Sequence, residues 1–393
     1  MYSGYLDLFY ERNGQIKNFS FNAHYNKLLN ETTEFVGSYT RGFRKLGLDA
    51  HFIIANDLNL QSKWSKENLL KDTKKEELLF NQVRFFQPEI LWIDNLSLVD
   101  LDWLKSIRIK VKSIKLIVGY HCSPYGKRIL DTLKGVDFVF TCTPGLKSEM
   151  EAEGLRTYLV YHAFDDALIP QIAEKPSHPE NDFVFSGSLI SGAKFHDERI
   201  KLIENILKGN IDISLYVNLE KQYKIKAKQS IYYVRSLLNK MNMEKLTNRI
   251  SLFEYGKTRI DNYSDLLLKS CQNPVYGLDM YKLFQNSRVV LNMHIGVAGA
   301  FAGNMRLFEV TGTGSCLMTD NKKNLKDLFD TDYEIVVYDN AEDCVNKVRW
   351  LLENETQRAK IASAGHARTL KSHTVENRCI QIKEILEREL RKK

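Results

Sequence analysis

The residues best suited to chemistry fall in one stretch, 285–320, QNSRVVLNMHIGVAGAFAGNMRLFEVTGTGSCLMTD. Gly296, Gly299 and Gly303 punctuate a loop of small residues, where a backbone can approach a ligand without Cβ obstruction. A helix opening near Asn304 would point free N–H groups and the positive end of its dipole at that loop, the environment an anion such as a phosphate needs. Arg306 and Glu309 follow, three residues apart and so on neighbouring faces of the helix. The same two side chains could equally form a simple surface ion pair, and local spacing does not separate the readings. Three more candidates stand at or beside the ends of apolar runs: His121 after KLIVGY, Gly187 in FVFSGS, and His294 after VVLNM.

The elements that would position these groups alternate regularly. Short apolar runs are expected as strands at 5–10, 50–55, 89–94, 115–121, 137–143 and 157–164, with helical segments between them, including one long helix over 24–46. A stretch at 165–182 holds three of the chain's seven prolines and reads as a linker. The pattern then restarts, with strands expected at 183–188, 211–217, 249–255, 289–293, 315–319 and 334–339, and three closing helices at 341–352, 356–371 and 375–390. Apolar runs of this length alternating with helices imply parallel, doubly wound sheets. Two such units face each other across a cleft, and ligands bind where strand C-termini meet. The division is 1–170 for a first domain and 181–374 for a second, with room for the last helix, 375–393, to pack back on the first.

Composition narrows the class. The chain has 393 residues, 44% of them hydrophobic, and no apolar run reaches the length of a membrane span. The N-terminal MYSGYLDLFYERNG lacks the pattern of a secretory signal. Six cysteines lie far apart in sequence without a C-x-x-C or a histidine at zinc spacing, and read as reduced thiols of a cytosolic protein. The net charge of +7 is concentrated between Leu219 and Arg249, where eight basic residues face two acidic ones. This is either a solvated helical face or a contact for an anionic surface, and no nucleic-acid-binding signature accompanies it.

Longer strings carry a resemblance. YGLDMYKLFQNSRVVLNMH, NMRLFEVTGTGSCLMTD and EIVVYDNAEDCVNKVRWLLENETQRAKIASAGHARTLKSHT resemble the C-terminal domain of the glycosyl transferases group 1, nearest the spore-maturation CgeB-type branch. FVFSGS resembles the first strand of that domain. IVGYHCSP, DFVFTCTPGLKSEM and YLVYHAFDD follow the family's N-terminal domain in order, more loosely. The resemblance implies an α/β protein of the GT-B fold, two doubly wound Rossmann-like domains across a cleft. It implies a glycosyltransferase that moves a sugar from a nucleotide-sugar donor to a hydroxyl acceptor in glycan or surface-polysaccharide assembly, probing a glycan or lipid-linked acceptor. No metal and no separate cofactor are implied, the nucleotide-sugar being a substrate, and the place of action would be cytoplasmic, at the inner membrane face if the basic segment docks there.

By residue, Glu309 matches the family's acceptor for the donor ribose hydroxyls, and Gly187 the glycine along the diphosphate. Ser188 sits where many relatives have arginine, Lys194 where a phosphate-binding lysine is common, and His121 where the first domain supplies a histidine facing the sugar. Gly303, Asn304 and Arg306 would complete the diphosphate contacts, with His294 beside them either as a supporting group or as a core histidine. The wider family implies retention, with the leaving phosphate helping to deprotonate the acceptor, but one departure weakens that expectation: the first position of the E-x7-E motif of family 4 is Phe301, and inversion would need a carboxylate or His121 as general base. An epimerase or hydrolase on the same fold, or a nucleotide-sugar-binding module without catalysis, are the rival readings.

Overall fold

The computed structural model describes residues 1–70, 75–172, 176, 178–191, 194–296 and 299–393, with the side chains of 75, 76, 194 and 195 excluded. The first half is built on a four-stranded parallel sheet in the order β1 (Ile90–Ile93), β2 (Leu116–Tyr120), β3 (Phe138–Thr141), β4 (Thr157–Leu159). Registers such as Trp92↔Val118 and Val118↔Phe138 put alternate residues on opposite faces. On one face Ile93, Ile117 and Val139 meet Leu104, Leu133 and Met150 from the crossover helices Leu101–Lys110, Lys127–Leu133 and Pro144–Ala152. On the other, Leu116, Val118, Phe138 and Phe140 are covered by Tyr39 of helix Phe35–Lys45 and by Val375, Cys379, Ile382 and Leu386 of the last helix, Val375–Leu390. A capping box between Thr374 and Asn377 starts that helix. Glu389 ties its far end to Arg156 (2.6 Å) and Tyr158 (2.8 Å).

The N-terminal region departs from the sequence pattern. Residues 5–10 are not a strand but part of helix Ser3–Arg12, because Tyr5, Leu6 and Phe9 share one buried helical face while Asp7 points outward. The helix expected over 24–46 is two, Phe21–Glu31 and Phe35–Lys45. The break falls at the β-branched pair Thr32–Thr33, and the Thr32 hydroxyl takes the Glu34 N–H at 3.0 Å. Residues 50–55 bury Phe52 and Ile54 but join no sheet; the Phe52 N–H goes to the Tyr25 hydroxyl at 3.0 Å instead of to a neighbouring strand.

The second half holds a six-stranded parallel sheet in the order β10-β9-β8-β5-β6-β7. Its strands are β5 (Asn181–Leu189), β6 (Ser214–Leu219), β7 (Cys271–Gln272), β8 (Ser287–Asn292), β9 (Cys316–Asp320) and β10 (Val336–Tyr338). The chain runs outward from β5 to β7, then returns to the other side of β5 and runs outward again, so the order reverses between β5 and β8. Phe183, Phe185, Leu215, Val289, Leu291 and Met318 face one core and Val184, Val290 and Leu317 the other. Residues 249–255 are not a strand: Ser251–Gly256 form a 3-10 turn under helix Gln222–Lys240, and Arg235 of that helix takes the Phe253 carbonyl at 2.6 Å. No helix of the described residues is long and apolar enough to cross a membrane.

Several contacts join the halves. Helix Ser3–Arg12 lays Gly4 on the Tyr276 ring, Tyr5 fills the space beside Gly277 (φ +59°), and Arg12 pairs with Asp279. On the other side, Phe301 packs on Gly145, and a Cβ at Gly303 would sit 2.5 Å from the Cys142 carbonyl. The glycine at 303 thus allows one half to approach the other, where the sequence suggested approach to a ligand.

Candidate functional site

The reversal between β5 and β8 opens a crevice at their C-terminal edges, the place where open α/β sheets bind ligands. Helix Arg306–Gly312 enters it, starting two residues later than expected and spanning under two turns, so its dipole adds little. Arg306 and Glu309 pair with each other, as the bland reading had it, but not on the surface. The Glu309 side chain is 2% exposed and Arg306 24%. Arg306 reaches across to β5, where its Nε–H donates to the Ser186 carbonyl at 3.2 Å, and its guanidinium lies 5.3 Å over the Phe284 ring.

Most of the remaining second-half candidates are already engaged in hydrogen bonds. The Asn304 amide donates to the Asn292 side chain at 2.7 Å, bracing the end of β8. His294 is buried; its backbone N–H and Nδ1 both meet Asp320, at 2.9 and 2.8 Å, and Nε2 has no partner among the described residues. Burial alone would raise the Asp320 carboxyl, but the His294 bonds and charge and the Lys322 ammonium hold it below the usual range. Gly187 and Ser188 close β5, and the Ser188 carbonyl accepts from His196 Nδ1 (2.9 Å) and from Arg199 (3.2 Å). Lys194 begins helix Lys194–Lys208, and its side chain lies outside the described residues.

Arg199 is the cation that sequence reasoning missed. It sits buried beneath β5, stacked 5.3 Å over Phe185, donating to the Ser188 and Met293 carbonyls at the tips of β5 and β8. Burial lowers its guanidinium to about 10, and Arg306 pushes the same way while Asp320 opposes. The only signal was a basic residue on the apolar stripe of DERIKLIENILK, a position usually read as solvated.

Across the crevice stands the first half. His121 follows β2; its backbone joins Phe140 and Thr141, and Nε2 lies 3.2 Å from the Ser123 hydroxyl. Burial lowers its imidazole, against the pull of backbone bonds at Ser123 and Pro124. Two carboxylates also missed from sequence face this space. Glu34, at the start of helix Phe35–Lys45, is pushed up to about 7, first by burial and further by Glu309 and Asp94. Asp94, just past β1, is raised to about 6 by burial, with the Met1 ammonium opposing. Tyr2 feels Glu34, Arg306 and Glu309 in turn, so groups of both halves share one electrostatic site. Tyr276 takes no visible part: its hydroxyl accepts from Asn218 at 2.6 Å and its ring carries the N-terminal helix.

This arrangement can be set beside known proteins. The solved glycosyltransferase from Rickettsia africae superposes with a TM-score of 0.56 at 12% identity, covering 90% of this chain and 93% of its own. HepE from Anabaena, solved in complex with UDP, gives 0.53 at 12%, covering 80% and 82%. Sucrose-phosphate synthase from Thermosynechococcus elongatus gives 0.51 at 9%, covering 88% and 82%. The fold is GT-B. Residues 235–384 match a family model described as glycosyl transferase-like, which spans the GT-B crevice from helix Gln222–Lys240 through Glu309 to the last helix. No curated protein matches the chain. Across the GT-B cleft, the site combines a paired buried carboxylate and two guanidinium groups on one wall with a histidine and two carboxylates on the other.

Proposed function

We propose that the protein is a glycosyltransferase that takes its sugar from a nucleotide-sugar donor. The observation that carries this is the Arg306–Glu309 pair, held at the β5–β8 switch point with Arg199 beneath it. A carboxylate so placed can accept from two vicinal ribose hydroxyls, each such charged bond being worth about 1.5–3 kcal/mol. The guanidinium groups, with the Gly187 and Gly303–Asn304 backbone and Lys194, supply the preorganised positive field that a leaving diphosphate requires. In this reading those groups take the role that a metal would otherwise have at the diphosphate. HepE was solved with UDP, so uridine diphosphate is the first nucleotide to try.

On the facing wall, His121 is the catalytic residue of this reading: a largely neutral imidazole that can orient the transferring sugar or accept a proton from the acceptor hydroxyl. A retaining course, with the leaving phosphate assisting deprotonation, is proposed from the family resemblance, as is a position near the CgeB-type branch. Phe301 packs on Gly145 rather than offering a carboxylate to the sugar. The acceptor is proposed as a glycan or lipid-linked hydroxyl, and the place of action as the cytoplasmic face of an anionic membrane. Helix Gln222–Lys240 and the turns after it expose Tyr223, Tyr233, Leu237, Met241, Leu252 and Tyr255 among the basic residues, a mixture suited to a lipid headgroup region.

A thermal-shift panel of UDP, GDP, dTDP and CMP sugars, followed by product analysis with and without acceptor, tests the reading. One nucleotide family should raise the melting temperature with saturation. Donor conversion without acceptor would mean an epimerase or hydrolase, and binding without any turnover a non-catalytic module.

A further inference from the structure

Three side chains meet at the C-terminal edge of the first sheet, where Cys142 is buried and Cys122 packs against the core cluster under the last helix. Cys122 follows β2, Cys142 follows β3 and His162 follows β4. The parallel register brings together residues a crossover apart in sequence, with Cys122 and Cys142 at 5.5 Å between Cα atoms. Their sulfurs and a His162 ring nitrogen all lie within 4.8 Å of one another. The structure joins the two sulfurs as a disulfide, which corrects the expectation that every cysteine stands apart as a reduced thiol. Cys271, Cys344 and Cys379 take no part in such a bond.

The surroundings fit a ligand set better than a purely structural cross-link. Cys142 is buried, whereas Cys122 and His162 are only half-buried, so the group is not sealed from solvent. Tyr120 Oη lies 3.2 Å from His162 Nδ1. With Nδ1–H donating to that hydroxyl, the ring is fixed in orientation and Nε2 keeps its lone pair, the outer-shell arrangement typical of ligating histidines. The Phe35 ring walls the imidazole on another side. Two thiolates would neutralise a divalent charge, and soft sulfur ligands with one imidazole select zinc or a similar thiophilic ion.

We propose that Cys122 and Cys142, when reduced, bind a thiophilic divalent cation together with His162, leaving a fourth position open to solvent. Each cation bound releases the two thiol protons, and the disulfide form of the same sulfurs has no ligand to offer. Gly303 of the second half rests on the Cys142 carbonyl, so the site lies at the seam between the halves. The site lies on the same wall as His121, which directly precedes Cys122, but zinc binding by the sulfurs and imidazole is read without any sugar donor and so stands or falls apart from the glycosyltransferase reading.

The test uses the full chain, reduced with a thiol-free phosphine and stripped with a chelator, then titrated with zinc alone against a chromophoric competitor. Cobalt substitution reports thiolate ligation by its charge-transfer absorption. One zinc per chain is expected, with affinity falling by at least about tenfold in Cys122→Ser and in His162→Gln. Half-buried Cys122 tolerates serine sterically, and equal melting of the metal-free forms shows that the loss is not one of folding. Wild-type protein with both thiols titratable that takes up no zinc would overturn the proposal. So would undiminished zinc binding in Cys122→Ser, or a Cys122–Cys142 cross-link that persists under reductant and excludes metal.

Discussion

Removing Arg306 is the most informative single perturbation of this protein. Arg306→Ala deletes the ion pair to Glu309, the 3.2 Å bond to the Ser186 carbonyl and the contact over Phe284. Glu309, with a side chain 2% exposed, cannot recover those interactions from water. Deleting one partner of a buried pair costs about 3–5 kcal/mol, and the partial exposure of the arginine argues for the lower end, about 3 kcal/mol. For a unit of this size that is a fall in melting temperature of about 6–12 °C. Glu309→Ala should be milder, about 1–2 kcal/mol, because Arg306 is 24% exposed and keeps both water and the Ser186 carbonyl. Glu309→Gln placed in the Arg306→Ala background should recover part of the loss, since it removes the stranded charge. Urea unfolding of the four proteins, without nucleotide, measures all of this. A loss below about 0.5 kcal/mol for Arg306→Ala would be that of an exposed pair and would refute the argument. A double variant no more stable than Arg306→Ala would refute it equally.

His121→Ala should leave UDP affinity intact and lower kcat at unchanged melting temperature; early melting with full turnover per folded molecule would make the histidine structural. Glu34, pushed up to about 7, holds its proton in the folded chain where the unfolded carboxyl has lost it, so stability should fall as pH rises from about 4.5 to 7 and stay reduced above. Glu34→Gln should flatten that slope and stabilise the protein by about 1–3 kcal/mol at pH 8, as read by pH-dependent denaturation. Binding to vesicles should require anionic lipid, weaken with salt, and drop when Tyr233 and Leu237 become serine; binding to neutral vesicles alone would exclude the membrane reading.

Where the sequence was legible, the reason was periodicity backed by burial on both faces. VVLNM, CLMTD and FVFSGS are central strands of a parallel sheet and cannot be confused with anything half-exposed. YLDLFY was misread because Tyr5 and Phe9, four apart, satisfy a helix as well as their neighbours suggest a strand, and only packing on Tyr276 decides. AHFIIA has strand composition but no strand beside it, a fact of topology rather than of local preference. At the site, Glu309 and Arg306 were visible because they flank a glycine loop. Glu34 and Asp94 were not, since their roles depend on the approach of the other half, and Arg199 was hidden among helical charges. Cys122 and Cys142 were dismissed on sequence distance, although adjacent parallel strands routinely erase such distance.

The chain passes between the halves twice, and the two passages are joined. Phe164 donates its N–H to the His373 carbonyl and accepts from Val375, both at 2.9 Å. The Phe164 ring fills the place where a Cβ on Gly312 would stand. The two hydrogen bonds of this single bridge fix the passages side by side while leaving little else between them to oppose a twist. Any opening of the cleft would have to break the Tyr276, Asp279 and Gly145 contacts and would then swing about Phe164 and Thr374, with the least travel near that line and the most at the distant lips. A ligand that bridges the halves far from the pivot gains leverage over their closure, whereas one bound close to it gains almost none.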